Sequence, residues 1–387
     1  MRSRNTAIGI VLALAVLQGG QGWSFEVETH ARISGAAYDR SRVPDVLRDQ
    51  LGVDPTRRIS AGLFSGSRTP KEWLEEGSRE EDAPFRFFNH FYDPIFDRGL
   101  TTRVLRRERA PDWALEDRQE FPDQEFSYTD AREAFRRSLI EARPSDREQW
   151  LATTFKTLGH VIHLIQDMAS PPHTRNAPHG GPPLAGPRSV VEKYLDTILD
   201  DLQHGGYPIP TGFARPRGFW VETDATGAPQ NGPAARGLSQ IINRNFVSEG
   251  TNFTAFVDGN TAREYPNPVL NTATCDDETV NTVDAEKRAI SGDVTFCANS
   301  FLDPNTGVLE TNPRMTTFSL FSRDLRQRGL SVPEGEFSLN ALNAVSTGQL
   351  IIPRAVAYSA GLLDAFFRGQ LTLFFFRSDP LDPRRVL

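Results

Sequence analysis

Apolar positions recur with a helical period over several separated stretches of the chain and fade between them. The densest stretch is LGHVIHLIQDMASPPH, 158–173, where Leu158, Val161, Ile162, Leu164, Ile165 and Met168 require a buried helix and Pro171 and Pro172 stop it. Upstream, Ser145-Asp146-Arg147-Glu148 has the form of a capping box, which predicts that one long helix opens there and runs through Trp150 and Phe155. Residues 128–142 carry helical spacing at Ala131, Ala134, Phe135, Leu139 and Ile140, with Pro144 as the expected stop. Thr29 can cap a helix from about His30 with Ile33, Ala36 and Ala37 inward, and 238–246 reads as a further helix. Near the end, Pro353 suits a helix start, 355–367 is apolar enough to bury, and Gly369 follows as a stop. Short connections between such helices predict an all-α bundle with any site between facing helices.

Between these stretches the pattern is lost. Residues 41–75 read as short helices and loops, 100–127 as loop, and 205–237 as a surface loop dense in Gly and Pro. Residues 251–335 are rich in Asn, Thr, Asp and Gly and predict a loop-rich insertion in the helical unit that 23–250 begins and 336–370 closes. The tail, 371–387, opens on LTLFFF, which reads as a short strand. Arg354, Asp364 and Arg368 argue against a membrane span near this end.

The first 22 residues have the form of a secretory signal: Arg2 and Arg4, an apolar run from Ala7 to Leu17, then small and polar residues. Cleavage after Gly22 makes Trp23 the first residue of an exported, secreted or periplasmic bacterial protein. Loss of Arg2 and Arg4 takes the formal charge from −7 to −9. No basic run marks a surface for gripping a polynucleotide. The only two cysteines, Cys275 and Cys297, fall in the insertion. They are too few for a four-thiolate zinc site and, in an oxidising compartment, are expected to pair.

Candidate chemistry concentrates in 158–173. On a helix, His160, His163 and Asp167 fall within roughly 60° of one another, and the prolines let His173 turn back toward the same point. One buried histidine is ordinarily satisfied by a carbonyl group. Several such groups on one apolar stripe would cost several kcal/mol without partners, and a divalent cation satisfies them together. Nitrogen and oxygen ligands without thiolate suit zinc best.

The spacing His163-x3-Asp167-x5-His173, with Pro172 before the last histidine, resembles the zinc-dependent bacterial phospholipase C family and the related single-strand-specific zinc nucleases. His90-Phe91-Tyr92-Asp93-Pro94 is closer to the phospholipase branch. The resemblance implies an all-helical domain with up to three zinc ions. It implies that His90, His163, Asp82 and Asp167 hold one ion and that Trp23, through its freed α-amino group and carbonyl, holds a second with His30 and Asp167. His173 then anchors a third. Asp82 ends a glycine-led loop from Gly77 and doubles as general base; Glu81 is its rival, and Glu80 reads as solvated. The family's His and Glu four apart on the next helix are not matched. Glu192, with Asp196 four residues on or His179 before it, is the substitute this chain offers. His160 has no counterpart among those ligands and is assigned to hydrogen bonding behind them.

The implied activity is phosphodiester hydrolysis by metal-activated water, on a glycerophospholipid at a membrane surface. The alternatives are a single-strand nuclease or 3′-nucleotidase, and a non-catalytic zinc-binding protein.

Overall fold

The computed structural model describes residues 27–62, 66–83, 86–102, 105–116, 119–177, 206–248, 254–257, 261–264, 270–283, 289–318 and 337–368. Its helices in chain order are α1 (Val27–Arg40), α2 (Val43–Asp45), α3 (Pro70–Glu81), α4 (Ala110–Leu115), α5 (Tyr128–Ile140), α6 (Pro144–Asp167), α7 (Pro171–Thr174), α8 (Leu238–Asn245) and α9 (Ala344–Phe367). Among the described residues helices predominate over strands. Helix α6 is the axis of the body and packs against α1, α3, α4, α5 and α9.

Local chemistry sets where these helices begin. Thr69 caps α3 by accepting from Glu72 N, while the Glu72 carboxylate accepts from Thr69 N, and Pro70 supplies the pre-set first turn. Ser127 and Asp130 do the same for α5. The capping box expected at Ser145–Glu148 does not form. Pro144, expected to end α5, instead opens α6, because its fixed φ and missing N–H suit a first turn. Glu148 turns outward to accept from Ser60 N at 3.2 Å and to pair with Arg57.

Helices α3 and α6 cross where neither has a side chain. A Cβ on Gly77 would lie 1.8 Å from Lys156 O, and one on Gly159 would lie 2.2 Å from Leu74 O. The backbones can therefore touch, which sets the end of α3 beside the histidines of α6.

Two sequence expectations need correction. The described residues of 251–335 lie mostly in strands and not in loops: β3 (Thr254–Val257), β4 (Thr261–Glu264), β5 (Leu270–Val283), β6 (Ala289–Leu302) and β7 (Leu309–Phe318). The hairpin β1 (Ile59–Ser60) and β2 (Ser67–Arg68) lies upstream, and β8 (Phe337–Ser338) follows β7. Strands β5 to β8 form one antiparallel sheet in sequential order. The fold is thus helical with an added sheet rather than all-α. The many threonines, polar by count but β-branched, fit a pleated surface, and Val280, Val294 and Phe296 give the sheet a small core of its own.

Helix α9 starts nine residues before Pro353, which sits inside it. Burial of Ile351, Ile352, Ala355 and Val356 around the proline outweighs the roughly 3 kcal/mol that it costs. By length and composition α9 could cross a membrane, but 72% of its most apolar window is buried in this protein.

The sheet is tied to α9 by buried charge. Arg354 pairs with Asp303 at 2.8 Å and with Glu310, and the Tyr207 hydroxyl donates to Asp303 at 2.9 Å. Backbone pairing of Asp276 with Phe296 places Cys275 and Cys297 next to that pair on neighbouring strands. The side chains of both cysteines lie outside the described residues, as do the signal segment and the expected strand at 371–376.

Candidate metal centre

Four segments bring the predicted groups together: α1 with His30, the end of α3 with Glu81 and Asp82, the segment after a short 3₁₀ turn (Arg86–Asn89) with His90, and α6 to α7 with His160, His163, Asp167 and His173. All of these are buried. Two triads, His30–Asp82–His163 and His90–His163–Asp167, have ligand-type atoms within 4.8 Å of one another. Oδ1 of Asp82 lies 3.5 Å from His163 Nε2 and 3.7 Å from His90 Nδ1. Oδ2 of Asp167 lies 3.4 Å from His163 Nε2 and 3.1 Å from His90 Nδ1, and its Oδ1 lies 3.6 Å from His30 Nε2.

Hydrogen bonds behind the imidazoles fix how they point. His163 Nδ1 donates to Ser78 O at 2.7 Å, and His173 Nδ1 donates to His90 O at 2.9 Å. His30 Nδ1 donates to Gln166 Oε1 at 2.7 Å, and the Gln166 amide donates in turn to Ser34 Oγ at 2.8 Å. In the neutral ring each bond puts the proton on Nδ1 and leaves Nε2 as the lone-pair nitrogen. His30 and His163 stack with ring centroids 3.7 Å apart, and His173 stacks on Phe91 at 4.4 Å. His173 itself stands at the edge of the group, with Nδ1 3.8 Å from Asp167 Oδ1.

His160 departs from the stripe that periodicity drew. Its Nδ1 bonds Glu81 Oε2 at 2.6 Å, and its ring stacks on Phe126 at 4.0 Å, so it backs the group rather than joining it. Asp82, not its rival Glu81, faces the imidazoles. Glu80 is 40% exposed and pairs with Lys156. Trp23, Glu192, Asp196 and His179 lie outside the described residues. Sequence reasoning missed Gln166, whose signal was an amide inside the apolar run LIQDM: a buried amide needs partners, and this one orients His30.

Electrostatics follow from burial and crowding. Burial, with His163 adding to it, holds His30 well below the usual imidazole range. Burial lowers His163 too, but Asp82 and Asp167 outweigh it and push that imidazole well up; Asp167 and Glu81 do the same for His90. Burial also raises Asp82, and its neighbours only partly offset that rise. Asp167 is held well below the carboxylate range, since His173, His163 and His90 overcome its burial. The carboxylates thus favour positive charge on the imidazoles that face them.

Donor chemistry fits a divalent cation. Both oxygens of Asp82, both nitrogens of His90 and Nε2 of His163 are buried without a hydrogen-bond partner. Leaving so many polar atoms unmatched in one place costs about 1–3 kcal/mol each. Imidazole nitrogens and carboxylate oxygens gathered at this density could hold a divalent metal ion.

Comparison with family models, with curated proteins and with solved structures returns no match.

Proposed function

We propose that this chain is an exported zinc-dependent phosphodiester hydrolase, with a glycerophospholipid as substrate and cleavage of the phospholipase C type. The observation that carries it is the convergence of the Asp82 oxygens, His163 Nε2 and His90 Nδ1, partnerless in hydrogen bonding, on one buried point beside Asp167 and His30. The motifs His163-x3-Asp167-x5-His173 and His90 to Pro94 direct it toward the phospholipase branch. When bound, zinc would lower the pKa of a substrate water and offset charge on the phosphate oxygens.

The remaining steps belong to the chain. His90, His163, Asp82 and Asp167 would hold one ion, His30, Asp167 and Trp23 a second, and His173 with Glu192 a third. Asp82, kept short of hydrogen bonds and raised by burial, takes the proton from the attacking water. The hydrogen bonds that His163 and His30 donate to Ser78 O and Gln166 Oε1 keep both rings in their binding tautomers.

The test is elemental analysis of the purified mature protein beside hydrolysis of phosphatidylcholine and of single-stranded DNA. Close to three zinc per chain, with lipid hydrolysis lost in His163→Ala, is the expected result. Hydrolysis of DNA alone would move the assignment to the nuclease branch. Bound zinc with neither substrate cleaved would leave a zinc-binding protein without this chemistry.

A further inference from the structure

Glu81 and Asp82 are neighbours in sequence, yet their carboxylates flank opposite sides of one ring. Asp82 Oδ1 is 3.7 Å from His90 Nδ1, and Glu81 Oε1 is 3.6 Å from His90 Nε2. Glu81 is fully buried and its oxygens are committed. Oε2 accepts from Arg86 Nη2 at 2.6 Å, from Arg86 Nε at 3.0 Å and from His160 Nδ1 at 2.6 Å; Oε1 accepts from Trp113 Nε1 at 3.0 Å. A carboxylate so held cannot swing inward to serve as a ligand.

His90 is also the exception among the imidazoles. His30, His163 and His173 are each gripped at Nδ1 by an oxygen acceptor. His90 is reversed: its Nδ1 lies on the side of Asp82 and Asp167, and what lies behind its Nε2 is Glu81.

We propose that Glu81 is a positioning residue that holds His90 with its proton on Nε2, so that the Nδ1 lone pair points toward Asp82 and Asp167. The inference rests on the metal-binding role proposed above and adds the group that makes a reversed histidine usable there. The 3.6 Å separation is just beyond hydrogen-bond length, and a contact of this kind tightens into a hydrogen bond when the far side of the ring is engaged. Arg86, Trp113 and His160 act one step further back by keeping the carboxylate in place. Arg86 is itself stacked over Trp113 and Phe126, which makes the support rigid. A carboxylate behind a ligating imidazole fixes its tautomer and raises its basicity, and loss of such a group typically weakens metal affinity about 10–100-fold.

The experiment measures zinc affinity by competition with a chromophoric chelator, and the electronic spectrum of the cobalt-loaded protein, on the full mature chain. Glu81→Gln is expected to bind zinc about 10–100-fold more weakly and to shift the cobalt spectrum while far-ultraviolet circular dichroism is unchanged. Glu76→Gln removes the same charge from the same helix at a residue paired with Arg68, and is expected to leave both readouts as in the wild type. Glu81→Asp keeps the charge but draws it back from His90, so an intermediate affinity is expected; it carries the test if Glu81→Gln does not fold. Affinity in the Glu81 variants equal to that of Glu76→Gln would overturn this inference alone. A wild-type protein that binds no zinc would overturn the metal-binding role and this inference together.

Discussion

Gly159 of α6 lies so close to Gly77 of α3 that a methyl group on Gly159 would come within 3.0 Å of the Gly77 Cα. This approach places Glu81 and Asp82, at the end of α3, level with His160 and His163 on the facing helix. The crossing thus sets the spacing of the centre.

Gly159→Ala is therefore expected to force the helices apart. Its methyl group would meet backbone, at 2.2 Å from Leu74 O, which cannot rotate away. The expected loss is about 3 kcal/mol, measured by chemical denaturation, together with reduced zinc content in whatever folds. An alanine variant as stable as the wild type and fully loaded would show that the helices can slide at no cost to the site.

On the proposed metal-binding role, removal of metal should lower stability. Each ion held at about a thousand times its dissociation constant contributes about 4 kcal/mol, because the unfolded chain does not present these ligands together. Calorimetry before and after chelation, with zinc then restored, is expected to show a large and reversible fall in melting temperature. An unchanged melting temperature after elemental analysis confirms removal would mean that proton sharing among the imidazoles and carboxylates suffices to hold them.

Alkaline stability follows from the tyrosines. Tyr38, Tyr92, Tyr128, Tyr207 and Tyr358 all have hydroxyls pushed up from the usual phenol range, with burial the largest cause in each. The folded state keeps these protons after the unfolded chain, titrating near pH 10, has released them. Their contribution is thus fully present below about pH 10 and is lost as the pH rises toward the folded values. Denaturation midpoints are expected to fall steeply above that pH, with phenolate absorbance rising together with unfolding rather than before it. Phenolate appearing in the folded protein near pH 10 would contradict it.

Much of the candidate site was legible because a helix repeats itself. The spacing of His163 and Asp167 alone puts both on one face, and the structure brings them to the same point. His160 obeys the same period and yet turns to Glu81, since periodicity gives a direction and not a partner. The choice between Glu81 and Asp82 could not be read from Arg-Glu-Glu-Asp. It depends on Arg86 and Trp113, which reach Glu81 from outside the helix and take up its oxygens.

The sheet escaped notice for a different reason. Its strands bury only a few side chains, and threonines paired across β5 and β6 with aspartates look like solvent-exposed loop when counted as polar. Pro144 and Pro353 depart from their expected roles in different ways. The first opens a helix, and the second sits inside one whose burial outweighs the local penalty.

His30 and Gln166 are bonded across 136 residues of chain. A contact between such distant positions closes a very large loop, and closures of that kind come late when a chain folds. His30 therefore takes up its orientation only after α6 is in place against α1, so a partly synthesised chain lacks the assembled pocket. On the proposed metal-binding role, the cation would be acquired only once the whole polypeptide has folded, and the metals available there would decide which ion it carries.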